Sequence, residues 1–255
     1  MEMIRLEHVT KSFGEHTVLE DFSISIPEGE FLTVIGRSGC GKTTMLKMIN
    51  GLNCPEKGKV YIGGKDIGEE NIIELRRKIG YVIQNKGLFP HMTVEKNITY
   101  VPVISGKKDK KTNHELACRL IETVGLDQSM LSRYPSELSG GNIKRRILKL
   151  SGGQQQRVGI ARALAANARI MLMDEPFGAL DEITKQAMQD EILKLHRKLG
   201  ITIVFITHDI REAMKLGDRV LVMDQGKIVQ LDTPEKIKKE PANEFVYQLV
   251  GQNLL

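Results

Sequence analysis

The run Gly36-Arg37-Ser38-Gly39-Cys40-Gly41-Lys42-Thr43, followed by Thr44, has the spacing of a loop that binds phosphate. Its glycines let successive backbone N–H groups turn inward as an anion nest, and a helix starting at its end points a positive terminus at the anion. In such a loop Lys42 reaches the β- and γ-phosphates and Thr43 ligates Mg²⁺. The loop speaks for binding of a nucleoside triphosphate and by itself names no reaction.

Two further constellations lie downstream. Ile170-Met171-Leu172-Met173-Asp174-Glu175 is an apolar strand ending in two acids. Asp174 is placed to hold Mg²⁺ and Glu175 to polarise an attacking water as general base. His208 follows the apolar run Ile201–Thr207, and the C-terminal ends of strands are where open α/β sheets bind ligands.

These residues need a scaffold of alternating strands and helices. Residues 3–34 read as β. Ile4, Leu6 and His8 alternate with Arg5, Glu7 and Val9, and Phe22, Ile24 and Ile26 alternate with Ser23 and Ser25. Phe31–Ile35 and Ile79–Ile83 read as buried strands, Thr43–Asn50 as a helix and Lys59–Ile62 as a short antiparallel strand. Later, Arg169–Met173 and Ile201–Thr207 flank an amphipathic helix over about 182–199, a strand–helix–strand order that predicts a parallel sheet with right-handed crossovers. From about residue 88 to 150 the pattern is helical and charged. Core strands stand on both sides of that block, so it reads as an insertion into the core. The expected class is therefore α/β, a single domain over 1–255 with a P-loop core.

Composition narrows the setting. The 255 residues are 41% hydrophobic, 27% charged and 5% aromatic, with no Trp. That is enough apolar material for one large core without metals or disulfides. The three cysteines, Cys40, Cys54 and Cys118, form no CxxC pair, which argues against a zinc site or disulfide framework and fits a reducing cytoplasm. No apolar run approaches the roughly 20 residues that cross a bilayer, and the opening MEMIRLEHVT lacks the layout of a signal peptide. The net charge of +5 reads as a solvated basic surface, with no nucleic acid expected as a partner.

One repeat stands out. Leu138-Ser139-Gly140-Gly141 recurs as Leu150-Ser151-Gly152-Gly153, which Gln154-Gln155-Gln156-Arg157 and Ala161-Arg162-Ala163 follow. The second copy resembles the signature of ABC ATPases and precedes the Asp174-Glu175 strand at that family's usual separation. Phe13 resembles the family's adenine-stacking aromatic, Gln84 its Q-loop glutamine, Gly178-Ala179-Leu180-Asp181 its D-loop and His208 its switch histidine. Phe13 also has a plain reading as a core aromatic.

The resemblance implies a P-loop NTPase fold with an N-terminal antiparallel β subdomain carrying Phe13 and an inserted α-helical subdomain. It further implies a head-to-tail homodimer enclosing two ATP molecules with Mg²⁺. The phosphate loop of one subunit (Gly36 to Thr44) would face Ser151, Gly152, Gly153 and Gln154 of the other, and Asp181 of the D-loop would be a further nucleotide-binding residue. Glu175 would act as base, His208 and Gln84 would position the γ-phosphate and water, and Thr43, Gln84 and Asp174 would serve the metal. About twelve extra residues separate the two Leu-Ser-Gly-Gly copies, a departure from the family that marks an insertion near 139–150. The second copy is continuous with the glutamine-rich helix and correctly spaced from Asp174, which favours it. The first then reads as a displaced loop remnant.

Within the family, Ile73–Gln84 and Gly87-Leu88-Phe89-Pro90-His91-Met92-Thr93 look most like the ATPases of quaternary-amine importers (glycine betaine, carnitine, choline). Polar amino acids or another small solute, and a non-transport ABC ATPase, are the alternatives. The importer reading implies a transmembrane permease docked near Gln84–Met92 and the helical block. It also implies a solute-binding protein acting indirectly and a peripheral place on the cytoplasmic face of the membrane. Many relatives in that subgroup continue into tandem CBS regulatory domains.

Overall fold

The computed structural model describes residues 1–83, 87–107, 109–135 and 150–251. The chain opens with strands β1 (Glu2–Phe13), β2 (His16–Pro27) and β3 (Phe31–Gly36), helix α1 (Lys42–Ile49), and strands β4 (Lys57–Ile62) and β5 (Lys65–Asp66). There follow α2 (Ile72–Arg77), β6 (Ile79–Val82), α3 (Val94–Ile98), α4 (Tyr100–Ile104), α5 (Lys110–Thr123) and α6 (Gly152–Ala165). The remainder is β7 (Ile170–Asp174), α7 (Glu182–Leu199), β8 (Thr202–Ile206), α8 (Ile210–Leu216), β9 (Arg219–Asp224), β10 (Lys227–Asp232), α9 (Pro234–Lys239) and α10 (Glu244–Gly251).

Two sheets result. One is antiparallel in the order β2-β1-β4-β5; the other runs β10-β9-β3-β8-β7-β6. In the second sheet β3, β6, β7, β8 and β9 are parallel and β10 pairs antiparallel with β9. Every residue of β7 and β8 is buried, as strands covered on both faces require. Side chains on a strand point alternately to the two faces, and the packing follows. Ile170 and Leu172 of β7, with Val204 and Ile206 of β8, face α1 and the antiparallel sheet. Met171 and Met173, with Ile203 and Phe205, face the core that α3, α5 and α6 share. The helical insertion and the sheet therefore hold one continuous apolar core. On the β9 side, Ile35, Val220 and Val222 pack against α8, α9 and α10.

The helix over 182–199 lies where its pattern predicts. Asp181 caps its start by accepting from the Thr184 N–H, and Gly200 ends it at φ 60°, a left-handed turn that glycine adopts at little cost. One expectation fails in β1. Ile4 and Leu6 are buried as alternation predicts, but His8 is exposed and Val9 takes the buried place. A bulge shifts the register between Leu6 and Val9. His8 sits at φ 50°, donates its N–H to Ser23 Oγ at 2.8 Å and pairs its imidazole with Asp21 at 2.7 Å.

Candidate functional site

The phosphate loop leaves the C-terminal end of β3 and enters α1. Gly36 has φ 149°, and a Cβ there would collide with the Met223 carbonyl of neighbouring β9. A side chain at Gly41, φ 102°, would meet Leu19 at 2.7 Å. The loop thus threads between β9 and β2 with no room for side chains at those two points. Gly39, by contrast, faces open space, which leaves backbone accessible to an anion. Cys40 is buried below it and its N–H donates to the Arg37 carbonyl at 3.3 Å. Arg37 turns outward and lays its guanidinium over the Phe245 ring of α10, 4.8 Å from the centroid. Ser38 is exposed, and Thr43 and Thr44 are half-buried in the first turn of α1.

Lys42 is buried, and its ammonium donates to the carbonyls of Gly36 and Arg37, each at 2.8 Å. That holds a positive charge under the loop. Thr43 Oγ1 donates to Asp174 Oδ1 at 3.2 Å. Strand β8 lies between β3 and β7, so these groups meet because α1 leans across the sheet. Asp174 is 4% exposed. Burial pushes its pKa up, helped by the neighbouring Glu175 charge and opposed by Thr43, Lys47 and Lys42. Tyr81 on β6 responds in turn, pushed to about 12 by burial and by Asp174.

These donors fit Mg²⁺. The ion prefers one or two protein oxygens and completes its shell with phosphate and water. A hydroxyl hydrogen-bonded to a buried carboxylate supplies that pair, and a cation would favour the ionised form that burial resists. Among the described residues there is no cluster of three or more metal-binding side chains, so these two would act with phosphate oxygens.

Glu175 stands at φ 46°, a left-handed conformation uncommon for a residue with a side chain. Its N–H donates to the Ile206 carbonyl of β8 at 3.0 Å, which fixes the turn. The cost of such a conformation, about 1–3 kcal/mol, is characteristically carried at functional positions. The turn brings the Glu175 carboxylate to 3.6 Å from Nδ1 of His208, which follows the end of β8. His208 is largely exposed. Four residues named from the sequence are thus brought together at the C-terminal edge of the sheet, Thr43 beside Asp174 and Glu175 beside His208.

The remaining predicted residues lie elsewhere on the surface. Ser151 and Gln154 cap α6 reciprocally: Ser151 Oγ accepts from the Gln154 N–H at 3.2 Å and Gln154 Oε1 from the Ser151 N–H at 2.9 Å. The helix therefore begins at Gly152. Gly153 packs against Ala179 and Leu180, where a Cβ would stand 3.0 Å from the Ala179 carbonyl. Asp181 is exposed, and the Thr184 N–H holds its carboxyl below the usual range. Phe13 is 52% exposed, with the Lys11 ammonium 5.4 Å from its ring centroid. The alternative of a core aromatic is thereby discarded. Gln84 and the first Leu-Ser-Gly-Gly copy, 138–141, lie outside the described residues.

Sequence reasoning overlooked the polar groups around His208. Lys185, Thr207, Asp209 and Glu212 line a small cavity with Glu175 and His208. Burial works against the Lys185 charge, but Glu212 and Asp209 outweigh it and raise its pKa above the ordinary lysine value. Only the spacing of Lys185 four residues after Asp181 hinted at a role, and that spacing equally suits a solvated helix face.

Comparison with known proteins places this geometry. The family described as ABC transporter matches residues 19–178. A carnitine transport ATP-binding protein, OpuCA of Listeria monocytogenes, is 49% identical over 99% of the chain. The glycine betaine/carnitine/choline transport ATP-binding protein OpuCA of Bacillus subtilis is 48% identical over 99% of it. The chain spans 61% and 63% of the length of those two relatives. Among solved structures, a dimeric post-hydrolysis state of the ATP-binding cassette MJ0796 bound to ADP and Pi superposes with a TM-score of 0.81 at 34% identity, covering 91% of this chain and 99% of that one. The shared fold and the match over well more than half of its residues make this chain a member of the ABC transporter family.

Proposed function

We propose that this chain binds and hydrolyses ATP and, as a dimer, drives import of a quaternary amine through a separate membrane permease. The observation that carries the ATPase reading is the convergence of Thr43–Asp174 and Glu175–His208 beside a phosphate loop. Gly36 to Thr44 would wrap the phosphates, with Lys42 neutralising β- and γ-oxygens. Thr43 and Asp174 would hold Mg²⁺, which when bound offsets charge on the phosphates. Glu175 would accept a proton from the attacking water, and His208, with Gln84, would orient the γ-phosphate and that water. Phe13, exposed at the end of β1, would stack on adenine.

Ser151, Gly152 and Gly153 open α6, whose N-terminus favours an anion. Gly152 and Gly153 pack against Ala179–Leu180 of their own chain; in the dimer this helix start would serve the phosphate loop of a partner subunit, with Asp181 a further nucleotide-binding residue. The structural neighbour's dimeric state supports this pairing. The solute class rests on the names of the relatives. No described helix is long and apolar enough to cross a membrane, so docking on a permease at the cytoplasmic face, near Gln84–Met92, is the corresponding arrangement.

The test is Glu175→Gln. ATP binding should persist while hydrolysis falls by about 10²-fold or more; turnover near wild type would overturn the assignment. For the solute, the chain reconstituted with its copurifying permease and binding protein should drive ATP-dependent uptake of glycine betaine, carnitine or choline. Uptake of a polar amino acid instead would redirect that part.

A further inference from the structure

We infer that Lys185 is a positioning residue for His208, tying the first turn of α7 to the segment that presents the histidine; this rests on the ATPase reading above. Lys185 Nζ stands 3.3 Å from Asp209 Oδ2, 3.3 Å from Glu212 Oε1 and 3.4 Å from Glu182 Oε2. Its side chain is 17% exposed and that of Glu212 only 6%. Ion pairs this sheltered are screened little by solvent. Glu212 Oε2 accepts from Thr207 Oγ1 at 2.6 Å, and Thr207 Oγ1 accepts from the Asp209 N–H at 3.0 Å. Asp209 Oδ1 meanwhile accepts from the Arg211 N–H at 2.9 Å, capping α8.

The residues on both sides of His208 are therefore fixed, one through Glu212 and one through its own carboxylate, and Lys185 bridges the two anchors. Among the described residues His208 makes one ionic approach, to Glu175 at 3.6 Å. Its placement is thus set by its backbone neighbours. At the other end of the tether, the Lys185 N–H donates to the Asp181 carbonyl at 2.8 Å. One lysine thereby joins the turn carrying Asp181 to the turn carrying His208. Lys185 is the cation between the Asp209 and Glu212 carboxylates, and its removal would leave Asp209 Oδ2 without that pairing and uncompensated negative charge in the cavity that Glu175 lines. The phosphate loop, on the β3–α1 junction, makes none of these contacts, so binding of ATP and placement of His208 separate.

Lys185→Met is expected to lower kcat by about 10- to 100-fold, the scale of loss from small misplacement of a reacting group, with KM for ATP and nucleotide affinity changed by less than about 2-fold. Lys185→Arg, which keeps the charge and donors, should recover most of the loss. In a His208→Ala background Lys185→Met should cost little more, because it acts through the histidine. Unchanged kcat, or a loss expressed in KM alone, would overturn the inference. Should Lys185→Met fold poorly for want of a counter-charge, Lys185→Met/Glu212→Gln removes a cation and an anion together. The kcat defect at a wild-type melting temperature supports the tether, and wild-type kcat in that double variant overturns it. If Glu175→Gln hydrolyses ATP normally, the ATPase reading fails. If Glu175→Gln is inactive and Lys185→Met is not, only this inference fails.

Discussion

Asp174 carries an electrostatic conflict at the heart of the site. Burial disfavours its charge and raises its pKa, so the folded chain holds a proton that the unfolded chain has already released. In the window between the unfolded and the raised folded pKa, the native state binds more protons, and stability falls as pH rises. At neutral pH the ionised carboxylate is a cost to the nucleotide-free protein. Asp174→Asn removes that cost while keeping an acceptor for Thr43, and should raise the nucleotide-free melting temperature at pH 7, by about 2–4 °C for each kcal/mol of cost removed. The gain should shrink toward acid pH, and the Mg²⁺-dependent part of ATP stabilisation should disappear. Thermal melts at pH 5 and 7, with and without Mg²⁺ and ATP, read all three effects. At the same scale, Asp174, Glu175 and the loop glycines were readable from type and spacing, since local backbone geometry dictates them. Lys185 and Glu212 were not, because α7 and the β8–α8 turn meet only once the chain has folded.

Helix α6 poses the question left by the duplicated Leu-Ser-Gly-Gly. The copy that begins with Leu150 supplies both halves of a capping box, Ser151 and Gln154, so it is built into the helix start. Ser151→Ala should cost about 1 kcal/mol of stability through the lost cap, measurable in urea melts. Ser151→Arg should abolish hydrolysis by blocking the anion-facing helix start, whereas Ser139→Arg should leave it within about 2-fold. The reverse ranking in a steady-state assay would give the working role to the first copy. Elements with strong periodicity, such as α7, fell where the pattern put them, because caps at Asp181 and Gly200 mark both ends. The β1 bulge at His8 was invisible, since cross-strand partners rather than local alternation set it. Helix α10 also gained a meaning only in three dimensions, where Phe245 lies under Arg37 of the phosphate loop.

For the whole molecule, the two halves of the proposed ATP site lie on different elements, the β3–α1 junction and the start of α6. Gly152 and Gly153 pack on Ala179 and Leu180, while the phosphate loop packs on β9 and β2. Glu175→Gln with ATP should therefore sediment as a dimer, because nucleotide bridges two subunits and cannot be cleaved. Ser151→Arg in the same background should remain monomeric; a monomer in both would sink the sandwich arrangement. Permease docking is tested by disrupting Gln84–Met92, which should uncouple solute uptake from hydrolysis and leave ATP binding intact. The sequence by itself determined the nucleotide loop, its acidic partners, the class of fold and the family resemblance, all properties of contiguous residues whose backbone demands are local. Only the tertiary structure decided that β8 separates the loop strand from the acidic strand, that Phe13 is exposed and that Lys185 reaches the neighbours of His208. Those facts depend on strand order and on which buried faces meet, and packing of distant segments sets both.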